Sequence, residues 1–138
     1  MVDQSADVAK QVENVVEGGS DVAKLDELWK SKVDWTGTPH ANGTVGHWET
    51  ITNKVDELVQ LPDVEKVYIN KGLSNEVTLN GAPNNRPDIM VVKKDGTIDI
   101  YEVPSKTDSI EKLIDRSLDN LDVLGEKAGD YFILPIEK

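Results

Sequence analysis

The segment from Asp88 to Val103 places the strongest constraint on the fold. Two apolar, β-branched runs, at residues 89–92 and 98–103, flank the tetrapeptide Lys94-Asp95-Gly96-Thr97. An Asp-Gly pair between two such runs is typical of a tight β-hairpin. The sequence therefore predicts two antiparallel strands whose outer ends, at Asp88 and Val103, lie side by side.

Helical patterns flank this hairpin. Apolar residues recur at three- and four-residue spacing over residues 45–60, with Thr44 as the expected N-cap and Pro62 as the stop. A second pattern covers residues 108–125, where Thr107 or Asp108 is the expected cap. Short strands are expected at 67–69 and 131–136, with a further one considered at 77–79.

These elements predict an α/β (α+β) fold with the order helix, three strands, helix, strand. The helices flank a central mixed sheet, and the last strand pairs parallel to its neighbour because it arrives through a crossover helix. Residues 1–30 carry a weaker helical pattern interrupted by Gly18-Gly19. We interpret 1–30 as an N-terminal helical linker or entry segment and 31–138 as the main domain.

Composition narrows the function classes. The chain has no cysteine, which excludes a disulfide framework, a thiolate zinc site and a cysteine nucleophile. None of its apolar stretches is long enough to span a bilayer. Its 138 residues carry 15 basic and 26 acidic side chains, a net charge of −11. This balance suits a basic protein partner or a metal bound by carboxylates, and it is unusual for a protein that binds polyanions.

Two carboxylates meet at the open end of the hairpin. A two-residue turn places Asp88 opposite Val103, whereas a three-residue turn or a bulge places it opposite Glu102. In both registers the two acids share one end of adjacent strands, where like charges repel unless a cation lies between them. Magnesium and manganese, which prefer oxygen ligands, are the expected cations. Ser105 and Lys106 follow Pro104 at the same end, and Lys106 is a candidate to neutralise developing charge.

Arg86-Pro87-Asp88, the hairpin, and Tyr101-Glu102-Val103-Pro104-Ser105-Lys106 together resemble the PD-(D/E)XK nuclease superfamily. The likeness is greatest to the C-terminal nuclease toxin domains of bacterial contact-dependent growth inhibition and other polymorphic toxin proteins. The resemblance implies a restriction-endonuclease-like αβββαβ core over residues 44–136. The lysine of the family pattern is expected at position 104, which is proline here, so Lys106 is the candidate to replace it.

The resemblance also implies a set of site residues. Glu49, on the helix before the first core strand, becomes the third metal-site carboxylate, and the metal is magnesium or manganese in preference to zinc. The expected catalytic residues are Glu49, Asp88, Glu102, Ser105 and Lys106, and the metal ligands are Asp88, Glu102 and Glu49. Arg86, Lys112 and Arg116 are the expected nucleic-acid contacts, within a basic group that also includes Lys93, Lys94 and Lys106. His47 is an additional candidate.

A toxin of this kind hydrolyses the phosphodiester bonds of DNA or transfer RNA, with DNA slightly favoured by analogy. It is delivered from the cell surface as part of a larger protein, acts in the target-cell cytoplasm, and is neutralised by a cognate immunity protein. Two alternatives stay open. The first is a non-catalytic acidic binding module on a degenerate nuclease fold. The second is a metal-independent ribonuclease that uses His40 and His47 as an acid–base pair.

Overall fold

The computed structural model describes residues 18–35, 46–105 and 108–135, with side chains described from Lys24 onward. The helices of this part of the chain are α1 (Gly18–Lys32), α2 (His47–Val59) and α3 (Ile110–Leu124). The strands are β1 (Val33–Trp35), β2 (Val64–Ile69), β3 (Ile89–Lys93), β4 (Ile98–Glu102) and β5 (Ala128–Ile133). Short 3₁₀ turns occur at Leu73–Asn75 and Gly125–Lys127. None of the helices in these ranges is long and apolar enough to cross a membrane.

The strands form one mixed sheet in the order β1-β2-β3-β4-β5. β2, β3 and β4 form an antiparallel meander, and β1 and β5 are added parallel to β2 and β4. The fold class, a mixed α+β protein with a central sheet flanked by helices, is confirmed. The parallel pairing of the last strand is also confirmed, because α3 carries the chain from β4 back to the start of β5.

The side chains of the central strands alternate between the two faces of the sheet and contribute to two apolar cores. Ile89 and Val91 belong to the apolar cluster that includes Ile51 and Val55 of α2. Met90, between them, belongs to the cluster that includes Leu124 of α3. Since successive side chains of a strand point to opposite faces, α2 and α3 cover opposite faces of the sheet. The protein is therefore layered as helix, sheet and helix, and both faces of β3 are buried.

The hairpin turn decides the register that the sequence left open. The Lys93 N–H donates to the Thr97 carbonyl at 2.9 Å, so three residues form the loop. Gly96 adopts φ 91°, which is the conformation that a three-residue hairpin loop requires and that glycine adopts at least cost. Ile89 consequently pairs with Tyr101 and Met90 with Ile100. Of the two registers considered, the three-residue turn is the one that the chain adopts.

The ends of α3 differ from the prediction at one side only. Ser109 is the N-cap, and its hydroxyl accepts the Lys112 N–H at 3.3 Å. The predicted cap at Thr107 or Asp108 is wrong, because Ser109 takes this position; the Asp108 carboxylate instead accepts the Ser105 N–H at 2.8 Å, and Thr107 lies outside the described residues. The predicted C-terminal end near Gly125 is confirmed, and Gly125 has φ 60°.

The expected strand at 77–79 is wrong, because this part of the loop has no strand pairing and Val77 and Leu79 pack instead on the α3-side core. The last strand also begins earlier than predicted, at Ala128, and ends at Ile133. The first error arises because apolar residues can fill a core from positions outside regular strand pairing.

No local pattern indicates β1, which follows directly after α1 and pairs with β2 from Val33↔Val67 to Trp35↔Ile69. Residue 30, where the sequence analysis placed a domain boundary, lies inside α1. The Trp29 indole N–H donates to Asp56 of α2 at 2.8 Å, and the Lys32 ammonium donates to the Val59 carbonyl at 3.0 Å. The second half of α1 is thus packed against the domain. The predicted N-cap of α2 at Thr44 is wrong, because α2 begins at His47 and Gly46 is its N-cap. Residues 1–17 lie outside the described residues.

Candidate carboxylate site

Asp88 and Glu102 stand opposite each other at the open end of the β3–β4 hairpin. Asp88 immediately precedes Ile89 and Glu102 immediately follows Tyr101, and Ile89 and Tyr101 are paired across the two strands. Continuing this register by one residue places the two acids side by side. The expected convergence of the two carboxylates is therefore present in the structure, with the geometry of the three-residue turn.

Asp88 closes the end of the hairpin with its side chain. Its carboxylate oxygen Oδ2 accepts the Val103 N–H at 2.7 Å. Its own carbonyl accepts the Asn70 N–H of the neighbouring chain segment at 3.1 Å. A short hydrogen bond to an ionised acceptor is among the stronger ones in proteins, so Asp88 is fixed in place.

Glu102 is a buried acid. Its side chain is only 3 % exposed, and its ion-pair partner among the described residues is the Arg116 guanidinium, whose Nη2 lies 3.8 Å from Oε1 and which is itself about half exposed. Burial is the main cause, and the negative charge of Asp88 the second, that raises the pKa of Glu102 from its ordinary 4.5 to about 8. Arg116 opposes this shift without cancelling it. Glu102 therefore carries a proton over most of the neutral range unless a further cation is bound beside it.

His47 holds the strand end from the opposite side. Its ring is 4 % exposed, and Nε2 donates to the Val103 carbonyl at 2.9 Å. The same nitrogen lies 3.6 Å from Asp88 Oδ2. The contact with Asp88 raises the pKa of His47 above its ordinary value, although burial acts against it. Both backbone groups of Val103 are thus bound, the N–H by Asp88 and the carbonyl by His47.

The start of α2 positions His47. Gly46, with φ 88°, is the N-cap, and its carbonyl accepts both the Thr50 N–H at 2.9 Å and the Thr50 hydroxyl at 2.8 Å. This left-handed turn directs the first residue of the helix inward. Nδ1 of His47 is buried and has no hydrogen-bond partner among the described residues. His47 is consequently a residue that orients the strand end, with no ring nitrogen open to solvent.

Glu49 and Ser105 are placed less centrally. Glu49 is exposed in the first turn of α2. Ser105 is half-buried, and its N–H is bound by Asp108. Within residues 18–35, 46–105 and 108–135, no group of three histidine, aspartate or glutamate side chains is close enough together to hold a metal ion. The metal assignment of Glu49 stays a prediction, while the pair of Asp88 and Glu102 is the part of the expected set that the structure brings together.

The expected basic group divides between the two ends of the hairpin. Arg116 contacts Glu102, and Arg86 and Lys112 are exposed near the same end, next to Asp88 and in the first turn of α3. Lys93 and Lys94 do not belong to this group. They lie at the turn end, where Lys93 forms an ion pair with Asp99 at 3.3 Å. Lys106 and His40 are outside the described residues, so the lysine that was expected to replace residue 104 is not placed.

The carboxylate pair fits a divalent cation by its chemistry. Two adjacent carboxylates supply the oxygen ligands that magnesium and manganese prefer. A buried acid with a pKa of about 8 is costly to ionise, and the half-exposed arginine that pairs with it in the described part of the chain is a weak compensating charge. A bound dication would favour the ionised forms of both acids.

No family model, no curated protein and no solved structure matches this chain. The description of the site therefore depends on the geometry of the chain itself.

The inner face of α3 carries polar residues that the sequence analysis missed. Ser117 and Asn120 are fully buried, between Leu113 and Leu124 on the same face of the helix. Asn120 accepts the Asn85 amide at 2.7 Å, while the Ser117 hydroxyl and Asn120 Nδ2 have no partner among the described residues. Their spacing within the apolar repeat of α3 was a signal in the sequence, because polar residues on a buried face are either bound or functional.

Proposed function

We propose that this protein is a metal-dependent nuclease in which Asp88 and Glu102 bind a magnesium or manganese ion. The observation that carries the proposal is the buried Glu102 carboxyl directly beside Asp88, with Arg116 as the only cation paired with it among the described residues. Two neighbouring acids repel each other when both are ionised, and burial makes ionisation of Glu102 more costly. Such a pair outside a surface salt-bridge network is typical of a functional site.

Each residue of the candidate site has a distinct role in this proposal. Asp88 is held by the Val103 N–H and so presents its second oxygen in a fixed orientation. Glu102 supplies the second carboxylate, and Arg116, half exposed, is placed to attract the phosphate. When bound, the metal would polarise the phosphodiester and lower the pKa of a bound water. His47 keeps Val103, and with it the strand end, in position.

The order of elements supports the finer assignment of fold. α2, β2, β3, β4, α3 and β5 follow one another as helix, three-stranded meander, helix and parallel strand. This is the order that the resemblance to PD-(D/E)XK nucleases implies. The same resemblance is the sole basis for proposing a toxin that is delivered into a neighbouring bacterium, with DNA slightly favoured over transfer RNA, and an immunity protein as its partner.

Of the two alternative functions, particular observations favour one and disfavour the other. The net charge of −11 and the proline at position 104 favour a non-catalytic acidic module that binds a basic partner. A metal-independent ribonuclease requires an accessible imidazole, and His47 is disfavoured because Nε2 is bound to the Val103 carbonyl and Nδ1 is buried.

A cleavage assay distinguishes the three functions. Plasmid DNA, single-stranded DNA and transfer RNA are incubated with the protein in magnesium or manganese, and again with a chelator. The proposal predicts cleavage of at least one substrate with metal and none with chelator. Cleavage that persists in chelator would support the ribonuclease, and the absence of cleavage under all conditions would support the binding module.

His47→Gln is expected to retain cleavage within about tenfold of the wild-type rate, whereas His47→Phe is expected to destabilise the protein by about 1–3 kcal/mol. Glutamine keeps a donor for the Val103 carbonyl, and phenylalanine leaves this buried carbonyl unpaired. Urea denaturation and initial cleavage rates measure the two effects. A loss of about a thousandfold in His47→Gln at unchanged stability would identify His47 as a catalytic acid or base and contradict the orienting role.

A further inference from the structure

A polar groove of about 430 Å³ opens beside the carboxylate pair, between the end of β2 and the segment that enters β3. It is lined by amides, cations and one glycine: Asn70, Lys71, Gly72, Asn75, Asn84 and Arg86. None of these lining residues is acidic, although acidic side chains outnumber basic ones by 26 to 15 in the whole chain. The groove thus has a composition opposite to that of the protein as a whole.

The groove lies next to the chain segment that carries Asp88. Asn70 lines it, and the Asn70 N–H donates to the Asp88 carbonyl at 3.1 Å. Arg86 lines it as well and precedes Asp88 by only two residues. A chain-like ligand bound in this groove would therefore lie close to the carboxylate pair.

The cations of the groove are available to a ligand. Arg86 is exposed and forms no ion pair with any residue that the structure describes. Lys71 lies 3.5 Å from Asp34 Oδ1, and both side chains are partly exposed, 28 % and 40 %. An exposed pair at this distance contributes little and can be exchanged for a stronger anion.

Local hydrogen bonds hold the side chains of Asn84 and Asn75 in the groove. Asn84 Oδ1 accepts the Ser74 N–H at 3.0 Å, which leaves its Nδ2 as a donor. Asn75 Nδ2 donates to the Gly72 carbonyl at 2.9 Å. The Asn84 carboxamide packs so closely on Gly72 that a Cβ at this position would collide with it. Only glycine at 72 therefore allows the observed position of the Asn84 side chain.

We propose that this groove binds the phosphodiester backbone of a nucleic-acid strand next to the bond that is cleaved, an inference that builds on the proposed nuclease function. Arg86 and Lys71 contact phosphate oxygens, and Asn70 and Asn84 donate amide hydrogens to phosphate or sugar oxygens. Two cations and fixed neutral donors suit a polyanionic strand, and the absence of acidic lining residues removes the repulsion that the net charge would otherwise impose. The groove resolves how an acidic protein can hold an anionic substrate.

Fluorescence anisotropy with fluorescein-labelled single-stranded DNA and RNA oligonucleotides tests the groove independently of cleavage. The titrations are performed in chelator at 50 mM and 200 mM salt. We expect Arg86→Gln combined with Lys71→Gln to weaken binding about tenfold at 50 mM salt and to lower the salt slope, since each phosphate contact in a single strand contributes about −0.7. Lys94→Gln, which removes an exposed charge at the opposite end of the hairpin, is the matched control and is expected to stay within twofold.

Gly72→Ala separates the groove from general charge attraction, because it displaces Asn84 without changing the net charge. We expect it to weaken binding severalfold with the wild-type salt slope. The inference is overturned if wild type binds neither oligonucleotide, if the double charge variant binds as Lys94→Gln does, or if Gly72→Ala binds as wild type does. Asp88→Asn is measured in parallel: cleavage by Asp88→Asn at the wild-type rate would overturn the proposed carboxylate-pair site while leaving a positive groove result intact, and absence of cleavage by wild type would overturn the nuclease proposal.

Discussion

Asp88→Asn is expected to lower the metal-dependent cleavage rate by about a thousandfold or more while the protein remains folded. The asparagine Oδ1 can still accept the Val103 N–H, so the hydrogen bond that closes the hairpin is preserved. The variant loses the negative charge and one oxygen ligand for the cation, and a metal contributes several kcal/mol to transition-state stabilisation. Asparagine is a sharper choice than alanine, which would leave the buried Val103 N–H unpaired.

Asp99→Asn is the matched control for this experiment. Asp99 is also an almost buried acid on β4, but it lies toward the turn end, where it binds Lys93 and the Asp130 N–H. We expect its cleavage rate to stay within about threefold of wild type once both variants are shown by circular dichroism to be folded. An Asp88→Asn variant with the activity of Asp99→Asn would remove the carboxylate pair from the catalytic mechanism.

Glu102→Gln is expected to stabilise the metal-free protein by about 2–4 kcal/mol at pH 9 and by almost nothing at pH 4. In the folded state the pKa of Glu102 is raised to about 8, from 4.5. Below pH 4.5 Glu102 is protonated in both the folded and the unfolded wild-type protein, so the wild type has its full free energy of unfolding there. As pH rises through 8 the folded protein is forced to ionise a buried carboxyl, and this stability is lost.

The difference in the free energy of unfolding between Glu102→Gln and wild type should therefore grow between about pH 4.5 and pH 8 and level off above pH 8. Thermal denaturation in chelator across this range measures it, and each pKa unit corresponds to about 1.4 kcal/mol. Glu49→Gln, on an exposed acid of α2, is the control and should show no such trend. Destabilisation by Glu102→Gln at pH 9 would show that the ionised carboxylate is satisfied within the protein and leaves no need for a further cation.

The sequence predicted the parts of the fold that depend on local signals. The Asp-Gly turn and its apolar flanks identified the β3–β4 hairpin, and the spacing of apolar residues identified α2 and α3. The register could not be derived, because two- and three-residue turns fit the same Lys94-Asp95-Gly96-Thr97 tetrapeptide. The pairing of Lys93 with Thr97, across a loop of three residues, decides between them.

The elements that were missed depend on distant contacts. β1 has three residues and exists through its pairing with β2, so no local pattern distinguishes it from loop. Val77 and Leu79 have the propensity of a strand, but burial on the α3-side core determines their place.

The convergence of the candidate site was partly predictable. The predicted hairpin placed Asp88 and Glu102 at the same end of two adjacent strands from the sequence alone. The role of His47 was not accessible, because it depends on a contact between α2 and the Val103 carbonyl 56 positions away. The polar groove was hidden for a similar reason, since its asparagines in residues 70–85 are also typical turn residues.

Direct measurement of metal binding tests the central claim, that Asp88 and Glu102 form a divalent-cation site. Isothermal titration of manganese and magnesium into the chelator-treated and dialysed protein is compared with the same titrations of Asp88→Asn, Glu102→Gln and the control Asp99→Asn. The proposal predicts saturable binding by wild type and Asp99→Asn that is weakened at least tenfold in Asp88→Asn and in Glu102→Gln. Absence of binding in wild type, or equal binding in all four proteins, would contradict it.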